Sequence, residues 1–247
     1  MVDLAVEQYK RRRRRSPRLL REDFCGTALV ACHWVKGHAK RRAIGLDLDE
    51  ETLQWAEKHN IVDLGKAKKR IELRNSDVRA VTEPKADVVQ AFNFSYYLLH
   101  SLTELIDYFR IVRLSLAPGG IFLLDCFGGT DVHQPLKETR TVDGPAGSFG
   151  FTWEQAAFNP ITNRTECHIH FSFKNSKKWK KAFSYDFRLY SLAEVQEALL
   201  IAGFTNIEVL WDHEEEEDAD CDYQPTTVAE NCPRWIAYLV ADAEPPK

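Results

Sequence analysis

The sequence predicts an α/β protein built on a doubly wound, mostly parallel sheet, with an antiparallel β insertion after its fifth strand. Three observations predict it. Over residues 18–127, short apolar runs alternate with segments of helical period, the pattern of parallel strands joined by crossover helices. Over residues 150–190 the period drops to two with no helix between the runs, the pattern of an antiparallel meander. The length of 247 residues, with 44% apolar and 28% charged side chains, suits one globular domain over 1–247 with a sizeable core.

Residues 1–17 form a polar N-terminal segment, expected as a short helix whose end, Arg11–Arg15, is solvated. Such a basic run can also serve nucleic-acid binding or nuclear import. Arg18–Phe24 reads as strand 1, Cys25-Gly26-Thr27 as a tight turn and Thr27–Lys36 as the first helix. Gly26 permits backbone angles that a side chain disfavours and lets a ligand approach the main chain. The following helix offers unpaired N–H groups to an anionic group. Arg42–Leu48 is strand 2. It carries Asp47 about 20 residues after the turn, where a carboxylate can take two ribose hydroxyls.

Asp49, Glu50 and Glu51 then complement the dipole of the next helix, in which Leu53 and Ala56 fall at helical spacing. Arg70–Leu73 is strand 3, running out at Asn75-Ser76-Asp77. Ala86–Phe92 is mostly apolar and reads as a buried parallel strand, covered on both faces. Leu102–Leu116 is helical, Ala117-Pro118-Gly119-Gly120 a turn and Ile121–Phe127 strand 5. In the insertion, Phe151–Phe158, Arg164–Phe173 and Trp179–Tyr190 are strands, separated by turns at Asn159-Pro160 and Asn175-Ser176-Lys177. Cys167, Ile169, Phe171 and Phe173 share one face; Glu166, His168, His170 and Ser172 share the other. Ser191 with Glu194 makes a capping box for a helix that stops at Gly203. Phe204–Trp211 and Trp235–Ala241 are closing strands, with an acidic loop over 212–223 between them.

Composition narrows the function. A net charge of −4 gives no global field for nucleic acid. No run is long and apolar enough to span a bilayer, and no secretory signal opens the sequence, so a cytoplasmic protein with no membrane partner is expected. The six cysteines form no CxxC pair and are expected to be reduced. His168 and His170 make an H-x-H pair with Glu166 as the nearby carboxylate. Third and fourth ligands are missing from the pattern, so no metal is expected.

Taken in order, the Cys25-Gly26-Thr27 turn, Asp47, Asp77, the strand at 86–92, the Ala117–Gly120 turn and Ala202-Gly203-Phe204 resemble the class I S-adenosylmethionine-dependent methyltransferases, whose sheet is Rossmann-like. The family's acid-x-G-x-G-x-G motif lies over Glu22–Ala28, with Phe24 and Ala28 standing at two of its glycine positions. The resemblance implies S-adenosyl-L-methionine as cofactor and assigns its contacts. Phe24, Cys25, Gly26 and Thr27 would face the methionine part, and Glu22 would organise the turn and the ammonium. Asp47 would take the ribose and Leu48 would flank the adenine. Asp77 and Val78 would meet the adenine's amino group and a ring nitrogen, and Asn93 and Phe94 would lie under the methionine part. Asn93-Phe94-Ser95-Tyr96 stands where amino-group methyltransferases of nucleic acids and proteins carry Asn/Asp-Pro-Pro-Tyr, but both prolines are absent.

Methyl transfer is an in-line displacement, governed by alignment and water exclusion, and an N–H or O–H nucleophile can need a base. In a doubly wound sheet the acceptor side lies beyond strands 4 and 5. It can be closed by Asn93–His100 and by the insertion. Tyr97 and His100 are therefore the catalytic candidates, with Glu154, His168, His170, Asp186 and Arg188 as polar residues of the insertion. The layout resembles that of small-molecule N-methyltransferases, so the expected function is methyl transfer to a small-molecule acceptor, nitrogen favoured over oxygen. The alternatives are a nucleic-acid or protein methyltransferase, suggested by Arg11–Arg15, and a non-catalytic scaffold, suggested by Phe24 and Ala28.

Overall fold

The computed structural model describes residues 1–144, 147–174, 178–212 and 223–244. Five parallel strands lie side by side in the order β3 (Ile71–Asn75), β2 (Arg42–Asp47), β1 (Leu19–Asp23), β4 (Ala86–Ala91) and β5 (Leu116–Gly128). Three antiparallel strands extend this sheet beyond β5: β12 (Trp235–Asp242), then β10 (Thr205–Asp212), then β11 (Tyr223–Thr226). The helices α1 (Val2–Arg13) and α2 (Leu29–Lys36) cover one face, where Tyr9, Trp34 and Val35 pack with Leu20, Val88 and Leu123. The helices α4 (Leu102–Ser115) and α5 (Leu192–Ile201) cover the other, where Phe109, Val112 and Leu199 pack with Val89, Phe122 and Leu124. Helices on both faces favour apolar residues along the central strands, which is why Ala86–Ala91 is mostly apolar, with Asp87 and Gln90 its exceptions. Capping boxes at Ser101/Glu104 and Ser191/Glu194 fix where α4 and α5 begin, each contributing about 1 kcal/mol. A short helix α3 (Glu50–Ala56) follows β2, capped by the Asp49 side chain.

The insertion is a separate four-stranded antiparallel sheet, in the order β6 (Leu136–Gly144), β7 (Gly147–Asn159), β8 (Arg164–Phe173) and β9 (Trp179–Arg188). Three of its strands are legible in the sequence; β6 is not. It is an edge strand whose residues are mostly exposed, so neither of its faces imposes a period of apolar residues. Two further differences stand in the main sheet. The expected turn at Ala117–Gly120 is drawn into β5 through an irregular pairing, Ala86 opposite Leu116 but Val88 opposite Ile121, with Gly119 at a φ of 74°. The short strand β11 has no clear apolar signal of its own. The acidic loop expected over 212–223 falls almost wholly outside the described residues, as does the expected turn at 175–177.

The arginine run is solvated only in part: Arg11, Arg14 and Arg15 are exposed, while Arg12 and Arg13 are drawn onto the sheet. Arg11 and Arg12 both pair with Glu208 on β10. Arg12 and Arg13 reach Asp242 on β12, at 3.6 and 3.0 Å. Arg13 also donates to the Gly119 carbonyl at 2.6 Å. Arg15 lies 3.3 Å from Asp87, which accepts as well from the Tyr9 hydroxyl and the amides of Arg18 and Leu19. The Arg12 side chain is only 4% exposed. The carboxylates that receive these arginines come from strands far along the chain, so a local reading of charge could not find them. No helix among the described residues is long and apolar enough to cross a membrane.

Candidate active site

The chain leaves β1 through Phe24, Cys25, Gly26 and Thr27 and enters α2 after Ala28. Phe24, Gly26 and Ala28 all take left-handed backbone angles, with φ of 55°, 50° and 53°. These are the three motif positions for glycine. Two residues with side chains thus follow the glycine path, each at a cost of about 1–2 kcal/mol. Tertiary contacts hold them there. The Cys25 N–H donates to the Leu46 carbonyl at 2.9 Å and the Ala28 N–H to the Cys25 carbonyl at 2.8 Å, and the Phe24 ring packs edge-on against Tyr108. The Thr27 carbonyl accepts from the Asn60 side chain at 2.8 Å. Gly45 on β2 makes room for this turn, because a Cβ there would lie 2.8 Å from the Cys25 Sγ. A Cβ on Gly26 would meet nothing within 4 Å, so the main chain is open to a ligand at that point.

Two carboxylates converge on the turn. Asp47 accepts from the Gly26 N–H through Oδ2 at 2.7 Å and from the Asp49 N–H through Oδ1 at 3.0 Å. Glu22 lies beneath the turn, 8% exposed, and accepts from the Ala31 N–H at 2.8 Å. Among the described residues no Lys or Arg pairs with it. Burial, with lesser contributions from Asp23 and Asp47, pushes its carboxyl up to about 8. The turn is thus an open stretch of backbone backed by an uncompensated acid, a setting suited to a cationic ligand.

Leu48, the next residue after Asp47, is 70% exposed at the rim. Asp77 is held by Arg79, which donates from its amide at 2.8 Å and from its guanidinium at 2.6 Å and keeps the carboxyl below its usual range. A ligand amine would share the carboxylate with Arg79. Val78 is buried, and its carbonyl accepts from Arg21 at 2.6 Å. Arg21 is itself buried, pairs with Asp23 at 2.5 Å and donates to the Val81 carbonyl. The Tyr108 hydroxyl donates to Asp23 at 2.8 Å. A buried ion pair on β1 therefore pins the segment that carries Asp77 and Val78.

A second left-handed pair, Asn93 and Phe94, follows β4 with φ of 60° and 58°. Both amides donate to the carboxylate of Asp125 on β5, at 2.7 and 2.9 Å. The Asn93 side chain is exposed, and the Phe94 ring packs on Phe127 at 4.7 Å. The sequence puts Tyr97 against an acceptor, and here the structure corrects it. Its ring is 0% exposed inside an aromatic cluster with Phe127, Phe187 and Tyr190. Its hydroxyl is taken up by the Cys126 Sγ at 3.0 Å and by the carbonyls of Phe127 and Tyr190. Tyr97 offers packing under the site and no group to a ligand. His100 is partly exposed. Its Nε2 donates to the Asp186 carbonyl at 2.7 Å, which leaves the lone pair on Nδ1. Burial, and then Arg164, hold its pKa below the usual histidine range, so the ring is neutral at neutral pH.

The small sheet closes the side beyond β4 and β5. Arg188 donates to the His100 carbonyl at 3.2 Å, the Tyr190 hydroxyl to the Leu99 carbonyl at 2.5 Å, and the Phe187 ring lies 6.0 Å from that of Tyr97. A cavity of about 580 Å³ opens on this sheet, lined by Phe158, Arg164, Glu166, Ser184 and Asp186 among others. It adjoins His100 through Asp186. His168 and His170 lie behind that rim, engaged within the sheet. His168 sits between Ser184 at 2.9 Å and Glu166 at 3.0 Å; His170 sits between the Lys181 amide at 3.1 Å and Glu154 at 2.6 Å. Among the described residues no cluster of three or more His, Cys, Asp or Glu could hold a metal ion.

No family model matches this chain, and no curated protein matches its sequence. Solved structures match it in three dimensions. An S-adenosylmethionine-dependent methyltransferase from Clostridium acetobutylicum superposes with a TM-score of 0.70 over 97% of this chain and 89% of that one, at 18% identity. DesVI from Streptomyces venezuelae gives 0.71 over 97% and 89%, at 17% identity. The sugar N-methyltransferase KedS8 from a Streptoalloteichus species gives 0.69 over 98% and 85%, at 16% identity. The fold is that of the class I S-adenosylmethionine-dependent methyltransferases.

In a methyltransferase fold the cleft lies outside the carboxyl ends of the parallel strands. The 24–28 turn, Asp47, Asp77 and the Asn93–Phe94 pair stand at those ends here. Two groups at this end of the methyltransferase sheet escaped the sequence reading: Asp125, and the Arg21–Asp23 pair. Each had a signal. Asp125 is a lone acid inside the apolar run Ile121–Phe127, and Arg21-Glu22-Asp23 puts three charges into one core strand. A buried charge must have partners, so such residues mark a network even where its members cannot be named.

Proposed function

We propose that this chain transfers a methyl group from S-adenosylmethionine to a small-molecule acceptor, with nitrogen the favoured acceptor atom. The observation that carries this reading is the turn at 24–28. It keeps the glycine path without its glycines, leaves Gly26 open, and sets Asp47 against it at 2.7 Å. A chain that kept only the fold would have no reason to hold two strained residues in that path.

The residues present suit the cofactor's parts. Asp47 is positioned for the ribose hydroxyls, Leu48 for the adenine face, and Asp77 with Val78 for the adenine edge. Glu22, buried without a cation, suits the ammonium side, with Phe24, Cys25, Gly26 and Thr27 beside it and Asn93 and Phe94 opposite. When bound, S-adenosylmethionine supplies a methyl group activated on a sulfonium. This chain's part is to orient that group and exclude water, which the aromatic layer of Phe94, Phe127 and Tyr97 supports. His100, neutral with a lone pair on Nδ1, is suited to take a proton from an acceptor amine. The adjoining cavity, with Glu166 and Asp186 on its rim, fits a polar, amine-bearing small molecule. The sugar N-methyltransferase among the structural neighbours supports that direction.

Buried, unpaired Cys25, Cys32, Cys126 and Cys167 support a reducing, cytoplasmic setting for one domain over 1–247. Of the arginines that suggested nucleic acid, Arg11, Arg12, Arg13 and Arg15 are engaged with Glu208, Asp242 and Asp87.

Titration calorimetry with S-adenosylhomocysteine tests the cofactor reading. The wild type should bind it, and Asp47→Ala should bind at least about tenfold more weakly, since a charged hydrogen bond contributes roughly 1.5–3 kcal/mol. Equal affinity in the variant would remove Asp47 from the site. Release of S-adenosylhomocysteine on incubation with S-adenosylmethionine and a panel of small amines and hydroxy compounds tests the acceptor class.

A further inference from the structure

We infer that Asp125 is a positioning residue of the transfer site: its carboxylate, by holding the amides of Asn93 and Phe94, sets the backbone that faces the cofactor after β4. This rests on the cofactor reading given above. The argument begins with geometry. Two consecutive residues with side chains stand in the left-handed region, at φ of 60° and 58°. That conformation is disfavoured for any residue with a Cβ and persists only where its surroundings impose it. What imposes it is a bidentate clamp, with Asn93 N–H to Oδ2 at 2.7 Å and Phe94 N–H to Oδ1 at 2.9 Å. Successive amides that converge on one point form an anion-binding concavity, and here the anion is a side chain of the neighbouring strand.

The clamp is itself fixed. Asp125 lies on β5, in register with Tyr238 of β12, and its own carbonyl accepts from the Tyr96 hydroxyl at 2.7 Å. The residue is 5% exposed. A carboxylate can accept from two amides at once. An amide side chain of the same shape would turn an NH₂ toward one of them, and the pair would have to open. With the clamp released, Asn93 and Phe94 would relax from the left-handed region, and the floor under the methionine part of the cofactor would move. Asp125 touches neither cofactor nor acceptor in this account; it acts through Asn93 and Phe94.

The clamp requires the ionised acid. Burial pushes the Asp125 carboxyl up to about 7, against the pull of the two amides, so it changes charge near neutral pH. Among the described residues, the titratable groups beside it are Tyr96, Tyr97 and Cys126, which burial keeps protonated, and Tyr238 on β12, which packs against Tyr223. Across the site Glu22 titrates in an overlapping window.

The test is calorimetric binding of S-adenosylhomocysteine to the full chain carrying Asp125→Asn. Affinity at pH 8 should fall at least tenfold. Both forms are then compared from pH 8 to pH 6, where the titration of Glu22 is common to the two. The wild type should lose more affinity than Asp125→Asn as the pH is lowered. Undiminished affinity at pH 8, or the same pH profile in both, overturns the proposal while leaving the cofactor reading intact. Failure of the wild type to bind at any pH overturns both. Should Asp125→Asn not fold, hydrogen exchange in the wild type decides: after correction for the intrinsic rate, protection of the Asn93 and Phe94 amides that falls from pH 8 to pH 6 while β4 and β5 stay protected supports the proposal, and unchanged protection overturns it. Amide hydrogen exchange at Asn93 and Phe94 gives an independent reading. Protection lost there in Asp125→Asn, with β4 and β5 still protected, is expected; retained protection overturns the clamp.

Discussion

The guanidinium of Arg13, at the end of the first helix, lies 3.0 Å from the carboxylate of Asp242, the last residue of β12, which has no solvent exposure at all. Arg12 stands on the same carboxylate at 3.6 Å. Removing the partners of a buried charge is costly because the charge left behind stays desolvated. Arg12→Ala with Arg13→Ala should therefore lower the unfolding free energy by about 3 kcal/mol. Arg11→Ser, at a more exposed pair, should cost less than about 1 kcal/mol. Urea titration measures both, and an unchanged midpoint in the double variant would show that the clasp contributes nothing.

Gly26→Ala separates strain from obstruction. A Cβ there meets no atom within 4 Å, so the stability cost is that of a left-handed alanine alone, about 1–2 kcal/mol. The same Cβ projects into the space assigned to the cofactor. Binding of S-adenosylhomocysteine should fall by more than tenfold while the melting temperature drops only modestly. Retained affinity would place the ligand elsewhere.

Glu22 makes stability depend on pH. Its folded-state value, about 8, lies above its ordinary 4.5, so between these pH values the unfolded chain releases a proton that the folded chain keeps. The group's contribution to stability is greatest below pH 4.5, falls through that window, and is lost above pH 8. Glu22→Gln keeps an acceptor for the Ala31 amide and cannot ionise. Without cofactor, the variant should match the wild type near pH 4 and exceed it by roughly 4–5 kcal/mol at pH 8.5. Parallel curves in chemical denaturation across that range would contradict the assignment.

His100→Ala should lower acceptor turnover about a hundredfold, the lower end of the range for removing a general base, and leave S-adenosylhomocysteine affinity within about twofold. Because burial and Arg164 hold the imidazole below its usual range, the part of the rate that His100 carries, read at saturating cofactor, should fall only under acid conditions, below about pH 6.5. A variant with undiminished turnover on an identified acceptor would leave His100 a purely structural link to Asp186.

The central sheet was legible because its strands are covered on both faces, and burial writes itself into sequence as mostly apolar runs such as Ala86–Phe92. Asp47 was legible because a strand end and a fixed interval after a turn locate it. Other features are written in three dimensions only. β6 lies at an edge and has no core face to record. The partners of Arg12 and Arg13 come from the opposite end of the chain. Tyr97 and His100 look alike as polar aromatics three residues apart. Only packing separates them, with Tyr97 turned into the aromatic layer and His100 left at the rim.

The clasp between α1 and β12 also sets an order of events. Arg12 and Arg13 are made long before Asp242 and the strand that joins β5 to β10. The first helix can settle on Leu20 and Trp34 early, but its arginines stay without these carboxylates until that strand has been made. Contacts of such long sequence separation form late and slowly. Damage to β12 should therefore be felt first at the N-terminal helix, as protease sensitivity in a segment nearly the full length of the chain away.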